Sequence, residues 1–213
     1  MISLFDMQRV DRLLCLGAHP DDIELGAGGT LMRLIGQNPG LQIRWIVFCG
    51  ADPVRAEEAR SAAAIFTAGA GGVDIELHGF RDAFLPWQGD QVKQVFEAAK
   101  KSFTPDLILT HQADDRHQDH RLISQLTWNT WRDQPILEYE ILKWEGDLGR
   151  PNLYVALDEQ LCRRKVQQLL DTYATQRSRH WFSEDALLAL LRLRGVECNA
   201  RHAEAFYARK LRW

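Results

Sequence analysis

Residues 12–30 read RLLCLGAHPDDIELGAGGT. The first six, Arg12–Gly17, are a short apolar run with the pattern of a buried strand. The chain then turns through Ala18-His19-Pro20-Asp21-Asp22-Ile23-Glu24. A glycine-rich turn containing Gly26, Gly28 and Gly29 leads on to a helical stretch at Thr30–Ile35. Working outward, Gln42–Phe48 (QIRWIVF) reads as a second strand and the Ala- and Glu-rich Ala56–Phe66 as a helix. Val73–Leu77 and Asp106–Thr110 read as the third and fourth strands, with helices at Gln91–Lys101 and near Arg121–Trp131. Strands alternating with helices predict an α/β fold: a Rossmann-like three-layer sandwich with a mainly parallel sheet and helices on both faces.

Beyond Pro135 the pattern loosens. Ile136–Ile141 and Leu153–Ala156 read as further strands, Leu161–Tyr173 and Asp185–Leu193 as helices, and Ala205–Leu211 as a closing strand. Neither an internal repeat nor a low-complexity linker interrupts residues 1–213, which predicts one domain. The length of 213 residues suits a single sizeable core. The Leu-rich stretch Leu187–Leu193 fits burial against the sheet or against a second subunit, so a homo-oligomer stays open.

Composition narrows the class. Hydrophobic residues make up 46% and charged residues 26%, the balance of a globular chain, and the formal net charge is -3. A nucleic-acid binder calls for a basic stripe, whereas Arg163, Arg164, Arg177, Arg179, Arg192 and Arg194 are interleaved with acids and apolar residues. The four cysteines, Cys15, Cys49, Cys162 and Cys198, form no CxxC pair and fit reduced thiols. The opening MISLFDMQRVDR lacks the basic and apolar regions of a signal peptide. No uncharged apolar run reaches the ~20 residues of a membrane span. A cytoplasmic, soluble protein is the expectation.

Ligands of an open parallel sheet gather beyond the carboxyl ends of its strands. Two segments rich in metal-ligating residues fall there: residues 18–24 after the first strand, and His111-Gln112-Ala113-Asp114-Asp115-Arg116-His117-Gln118-Asp119-His120 after the fourth. Pro20 stiffens the first turn. Adjacent carboxylates repel unless a cation sits nearby. The competing reading makes Asp21 or Asp22 a cap for the following helix, and Asp119 a cap for the next one. His19, three residues before Asp22, and the pair His117 and His120, one helical turn apart, favour a metal. Two histidines, one carboxylate and an open position make a catalytic zinc arrangement, while iron or cobalt also suits nitrogen and oxygen donors.

These motifs resemble those of the PIG-L/LmbE-like deacetylases. AHPDDIELGAGGT matches the HPDD-x-E signature of that family and HQDH its HxDH signature, with Gln118 where proline is common. The resemblance covers roughly the first two thirds of the chain. Beyond Pro135, only the stretch Tyr173-Ala174-Thr175-Gln176 is suggestive. The resemblance implies a zinc-dependent hydrolase that removes the N-acetyl group from an N-acetylglucosamine-like substrate. It implies that His19, Asp22 and His120 bind the metal and that Asp21 is the general base. It further implies that His117, oriented by Asp119, serves the oxyanion or the leaving amine, and that Arg55 reaches the substrate. A hydrogen bond from His117 to Asp119 is expected to raise the pKa of the imidazole.

Other residues carry weaker signals. Glu24 reads as favourable charge in the first turn of a helix. The glycines lack the GxGxxG spacing of a nucleotide cradle, and helix–sheet packing explains them. Arg81 and Asp82 fit either the same rim or a surface salt bridge, Trp87 fits core packing or a sugar platform, and Trp128 and Trp131 read as core. Two rival functions are a metal-free Rossmann-like protein that binds a sugar or nucleotide, and a zinc hydrolase for another amide or an ester.

Overall fold

A computed structural model describes residues 10–210. The expectation about the leader sequence and the far end of the expected closing strand, at Leu211, fall outside these residues. Among the described residues, seven strands form one sheet in the order β3-β2-β1-β4-β5-β7-β6. They are β1 (Arg12–Gly17), β2 (Gln42–Val47), β3 (Gly72–Leu77), β4 (Leu107–His111), β5 (Ile136–Tyr139), β6 (Leu153–Leu157) and β7 (His202–Tyr207). Strands β1 to β5 pair in parallel, and β7 runs antiparallel to both of its neighbours.

The alternation of side chains along each strand explains the three layers. Leu13 and Cys15 of β1 join one buried cluster with Ile43, Trp45 and Leu109. That face is covered by α1 (Asp22–Gln37), α2 (Pro53–Phe66), α5 (Glu159–Thr172) and α6 (Glu184–Glu197). Leu14 and Leu16 point to the opposite cluster with Ile46, Phe48 and Ile108. There α3 (Gly89–Ser102) and α4 (Gln118–Thr130) complete the sandwich. The central strand β1 is apolar on both faces from Leu13 to Leu16, because each face meets a helix layer, whereas the edge strand β3 carries the partly exposed Asp74 and Glu76. Leu187 and Leu191 bury in the first cluster, whereas Leu193 is exposed.

The main departure from the sequence reading lies in the glycines. Helix α1 begins at Asp22, so Gly26, Gly28 and Gly29 are helical rather than part of a turn. Glycine is a poor helix former, but packing overrides that preference here. A Cβ on Gly26 would lie 2.2 Å from the Tyr139 ring, and one on Gly28 would lie 2.7 Å from Phe66. These residues let α1 press onto the sheet and its neighbours. A buried ion pair fixes the same helix from its middle. Lys165 Nζ donates to Leu25 O at 2.7 Å, while the Glu204 carboxylate accepts from Gly29 N and Thr30 N at 2.7 and 2.6 Å. The two side chains meet at 2.6 Å.

The closing strand β7 starts at His202, three residues before the expected Ala205. Trp131 is core, whereas Trp87 is 70% exposed and lies against Phe84, so the core-packing alternative for Trp87 is not met. All four cysteines are free and buried. No helix among the described residues is long and apolar enough to cross a membrane.

Candidate metal and active site

The sheet reverses its winding between β1 and β4, since β2 lies on one side of β1 and β4 on the other. A crevice at the carboxyl ends of the strands is the usual result. The segments after β1 and β4 meet in it. His19 Nδ1 lies 3.2 Å from His120 Nε2 and 3.4 Å from Asp22 Oδ2, and His120 Nε2 lies 3.4 Å from Asp22 Oδ1. All three residues are buried. His117 approaches from the side, its ring centroid 4.8 Å from that of His19 and 4.6 Å from that of His120.

The far edges of both imidazoles are tied to carboxylates. His120 Nδ1 contacts Asp115 Oδ2 at 2.9 Å. His19 Nε2 contacts Asp82 Oδ1 at 3.0 Å and Asp119 Oδ2 at 3.2 Å. A carboxylate behind a histidine fixes its tautomer and turns the remaining nitrogen lone pair toward a metal. Burial and the neighbouring His111 push His120 down to about 3, which keeps that ring neutral. Burial opposes charge on Asp22, yet His120 and His111 hold it well below the usual carboxylate range. Burial likewise opposes charge on His19, but Asp119, Asp22 and Asp82 outweigh it and hold its pKa well above the ordinary value. Carboxylates thus outnumber the cations around His19, an imbalance that a divalent ion corrects. The donor set and its supports fit a metal.

The capping alternatives are not met. Asp21 stands at the N-cap of α1 but makes no side-chain cap, and its φ of 97° is left-handed. That conformation is uncommon outside glycine, although aspartate tolerates it better than most. It directs the carboxylate to Arg55 Nη2 at 3.0 Å. Burial raises the pKa of Asp21 well above its ordinary value, with Arg55 pulling the other way. Asp22 Oδ2 accepts from His19 N at 2.6 Å and so stiffens the turn. The N-cap of α4 is His117, whose Nδ1 accepts from Asp119 N at 3.3 Å.

That contact corrects the expected pairing of Asp119 with His117. The Asp119 side chain instead accepts from Ala83 N at 2.8 Å and Leu85 N at 3.1 Å and faces His19. The expected rise in the pKa of His117 is reversed, because burial lowers it. Arg55 lines the pocket, where its Nη2 also donates to Pro20 O at 2.6 Å.

Several site residues escaped the sequence reading. Asp115 and His111 lay within the polar second segment, but nothing local set them apart from Asp114 or Gln112. His111 stacks on His120 at 3.9 Å and accepts from Ala18 N at 3.0 Å. Lys143, Trp144, Gln176 and Trp181 line the pocket from the C-terminal third. The suggestive stretch from Tyr173 to Gln176 is tied to the first motif. Tyr173 OH donates to the buried Glu24 at 2.6 Å, and Thr175 N and Oγ1 donate to Glu58 of α2 at 2.9 and 2.6 Å. Glu24 stands in the first turn of α1, as expected, and is in addition a buried anchor.

A mainly parallel sheet with a buried histidine–carboxylate pocket at its switch point defines an α/β protein with a candidate metal centre. Residues 14–131, more than half of the chain, match the family described as PIG-L: GlcNAc-PI de-N-acetylase, and the chain belongs to that deacetylase family. It is 34% identical over 141 residues to the Escherichia coli (strain K12) protein described as uncharacterized deacetylase YaiS, covering 60% of this chain and 72% of that protein. Among solved structures, N,N'-diacetylchitobiose deacetylase from Pyrococcus horikoshii superposes with a TM-score of 0.75 at 20% identity, covering 96% of this chain and 87% of the other. GalB, the 4-carboxy-2-hydroxymuconate hydratase of Pseudomonas putida KT2440, superposes at 0.76 with 17% identity, covering 95% and 98%. At these identities the structural likeness carries the fold, and a fold hosts more than one chemistry.

Proposed function

We propose that the chain, acting as one domain, is a zinc-dependent N-deacetylase that releases acetate and a free amine from an N-acetylated, N-acetylglucosamine-like sugar. The observation that carries this reading is the convergence of His19 Nδ1, Asp22 and His120 Nε2 within 3.4 Å of one another by pairs, each imidazole backed by a carboxylate. These three side chains would hold the ion; iron or cobalt suits the same donors. A bound divalent cation supplies Lewis acidity toward an amide carbonyl and toward water.

The remaining roles fall to the chain's own groups. Asp21, held by Arg55, takes a proton from the attacking water, and its buried carboxyl, with a raised pKa, then passes that proton to the leaving nitrogen. His117 Nδ1 is occupied by the Asp119 N–H, so the neutral ring carries its proton on Nε2. That N–H donates to the negative charge developing on the former carbonyl oxygen. Asp119 acts through His19. Arg55 and the pocket lining position the sugar.

The test compares zinc-loaded and chelated protein for acetate release from N-acetylated glycosides and sugar nucleotides, with N-acyl amino acids and simple esters as controls. Metal-dependent release from the sugars alone is expected. Turnover that survives complete chelation overturns the metal reading, and preferential cleavage of acyl amino acids or esters overturns the sugar reading.

A further inference from the structure

The imidazole of His19 faces donors on both of its edges. On the Nε2 edge lie Asp82 Oδ1 at 3.0 Å and Asp119 Oδ2 at 3.2 Å. Cys49, just past the end of β2, comes to the same group: His19, Cys49 and Asp119 offer ligand atoms that all lie within 4.8 Å of one another. Cys49 is 8% exposed and Asp119 is fully buried, whereas the Asp82 side chain is 64% exposed and leaves the cluster open from one side. One thiol, one imidazole and one carboxylate make a three-donor set of the kind that zinc accepts, with the Asp82 carboxylate beside the same imidazole nitrogen, and the sulfur favours softer ions. Nothing in the deacetylation scheme uses Cys49.

We propose that His19 Nε2, Cys49 Sγ, Asp119 and Asp82 form a second, inhibitory cation position for a thiophilic divalent ion such as zinc or cadmium. The inhibitory part rests on the reading of His19 Nδ1 as a ligand of the first position. When the ion enters, the Cys49 S–H bond breaks, its proton goes to solvent and a metal–sulfur bond forms. The imidazole proton moves from Nε2 to Nδ1, which frees the Nε2 lone pair for the ion. A protonated Nδ1 has no lone pair left for an ion beside Asp22 and His120. One imidazole therefore serves one position at a time, and an excess of thiophilic metal drains the first by filling the second. Asp119 is already anchored by Ala83 N and Leu85 N, so the second position needs little rearrangement.

The experiment titrates cadmium into the full chain carrying one equivalent of zinc, following ultraviolet cadmium–thiolate absorption and acetate release together. Absorption is expected to grow in step with the loss of turnover. Cys49→Ser and Cys49→Ala should keep basal turnover, abolish the absorption and raise the inhibitory concentration by about tenfold or more, the scale seen when support for a metal site is lost. Absorption that persists without Cys49, or an unchanged inhibitory concentration, overturns the proposal. His120→Ala separates the two sites: it should lower zinc stoichiometry and leave the cadmium–thiolate absorption intact. Unchanged zinc stoichiometry with intact absorption counts against the first position alone.

Discussion

Asp115 Oδ2 lies 2.9 Å from His120 Nδ1, and the same oxygen takes Lys143 Nζ at 3.1 Å. Both carboxylate oxygens are used, since Oδ1 accepts from His117 N at 2.7 Å. One buried side chain thus sets the orientation of His120 and the backbone that carries His117.

Asp115→Ala is accordingly expected to weaken metal binding by about 10–100-fold, the usual effect of losing the carboxylate behind a ligating histidine. Competition with a chromogenic chelator measures it. Unchanged affinity would mean that packing between His111 and His120 alone holds the ring.

Asp21→Asn should retain stoichiometric metal while turnover falls by ~10²–10⁴-fold, the range for removal of a general base. Metal content by emission spectroscopy and acetate release read the two effects separately. Loss of metal from this variant would place Asp21, not Asp22, among the ligands.

The buried pair of Lys165 and Glu204 makes a stability prediction. Glu204→Ala removes the acceptor of two backbone N–H groups in α1 and strands a buried ammonium. A destabilisation of about 3–5 kcal/mol is expected in urea unfolding. Combining it with Lys165→Met should restore part of that loss, because the stranded charge is gone. A double variant weaker than the single one would show that Lys165 acts mainly through Leu25 O.

Glu24 gives a pH prediction. Burial raises its carboxyl from 4.5 to about 7, against the Tyr173 hydrogen bond. The folded chain therefore holds a proton that the unfolded chain has released between these values. Stability falls as pH rises through that window and levels off above it, by up to about 3 kcal/mol for such a shift. Glu24→Gln cannot ionise, so its stability relative to wild type should climb from pH 4.5 to 7 in metal-free protein. A constant difference across that range would contradict a protonated Glu24.

The strands and most helices were legible because their signal is local. Apolar runs and helical periodicity are written within a few residues, and β1, β2 and β4 lie within one residue of their expected limits. The exceptions have tertiary causes. Helix α1 swallows a run of glycines because Tyr139, Phe66 and Leu157 leave no space for larger residues. Strand β7 takes its register from β6 and β5 rather than from its own pattern.

By itself the sequence determined the alternating α/β plan and the two polar loops, since strand patterns place both loops at one edge of a parallel sheet. Only the folded chain decided which groups touch. His19 and His120 are 101 residues apart, and Tyr173 reaches Glu24 across 149. Whether Asp119 supports His117 or His19, and whether Cys49 is mere core or part of a donor cluster, depends on the packing of distant elements. Side-chain distances of 3 Å are set by that packing, which local propensity and motif spacing do not encode.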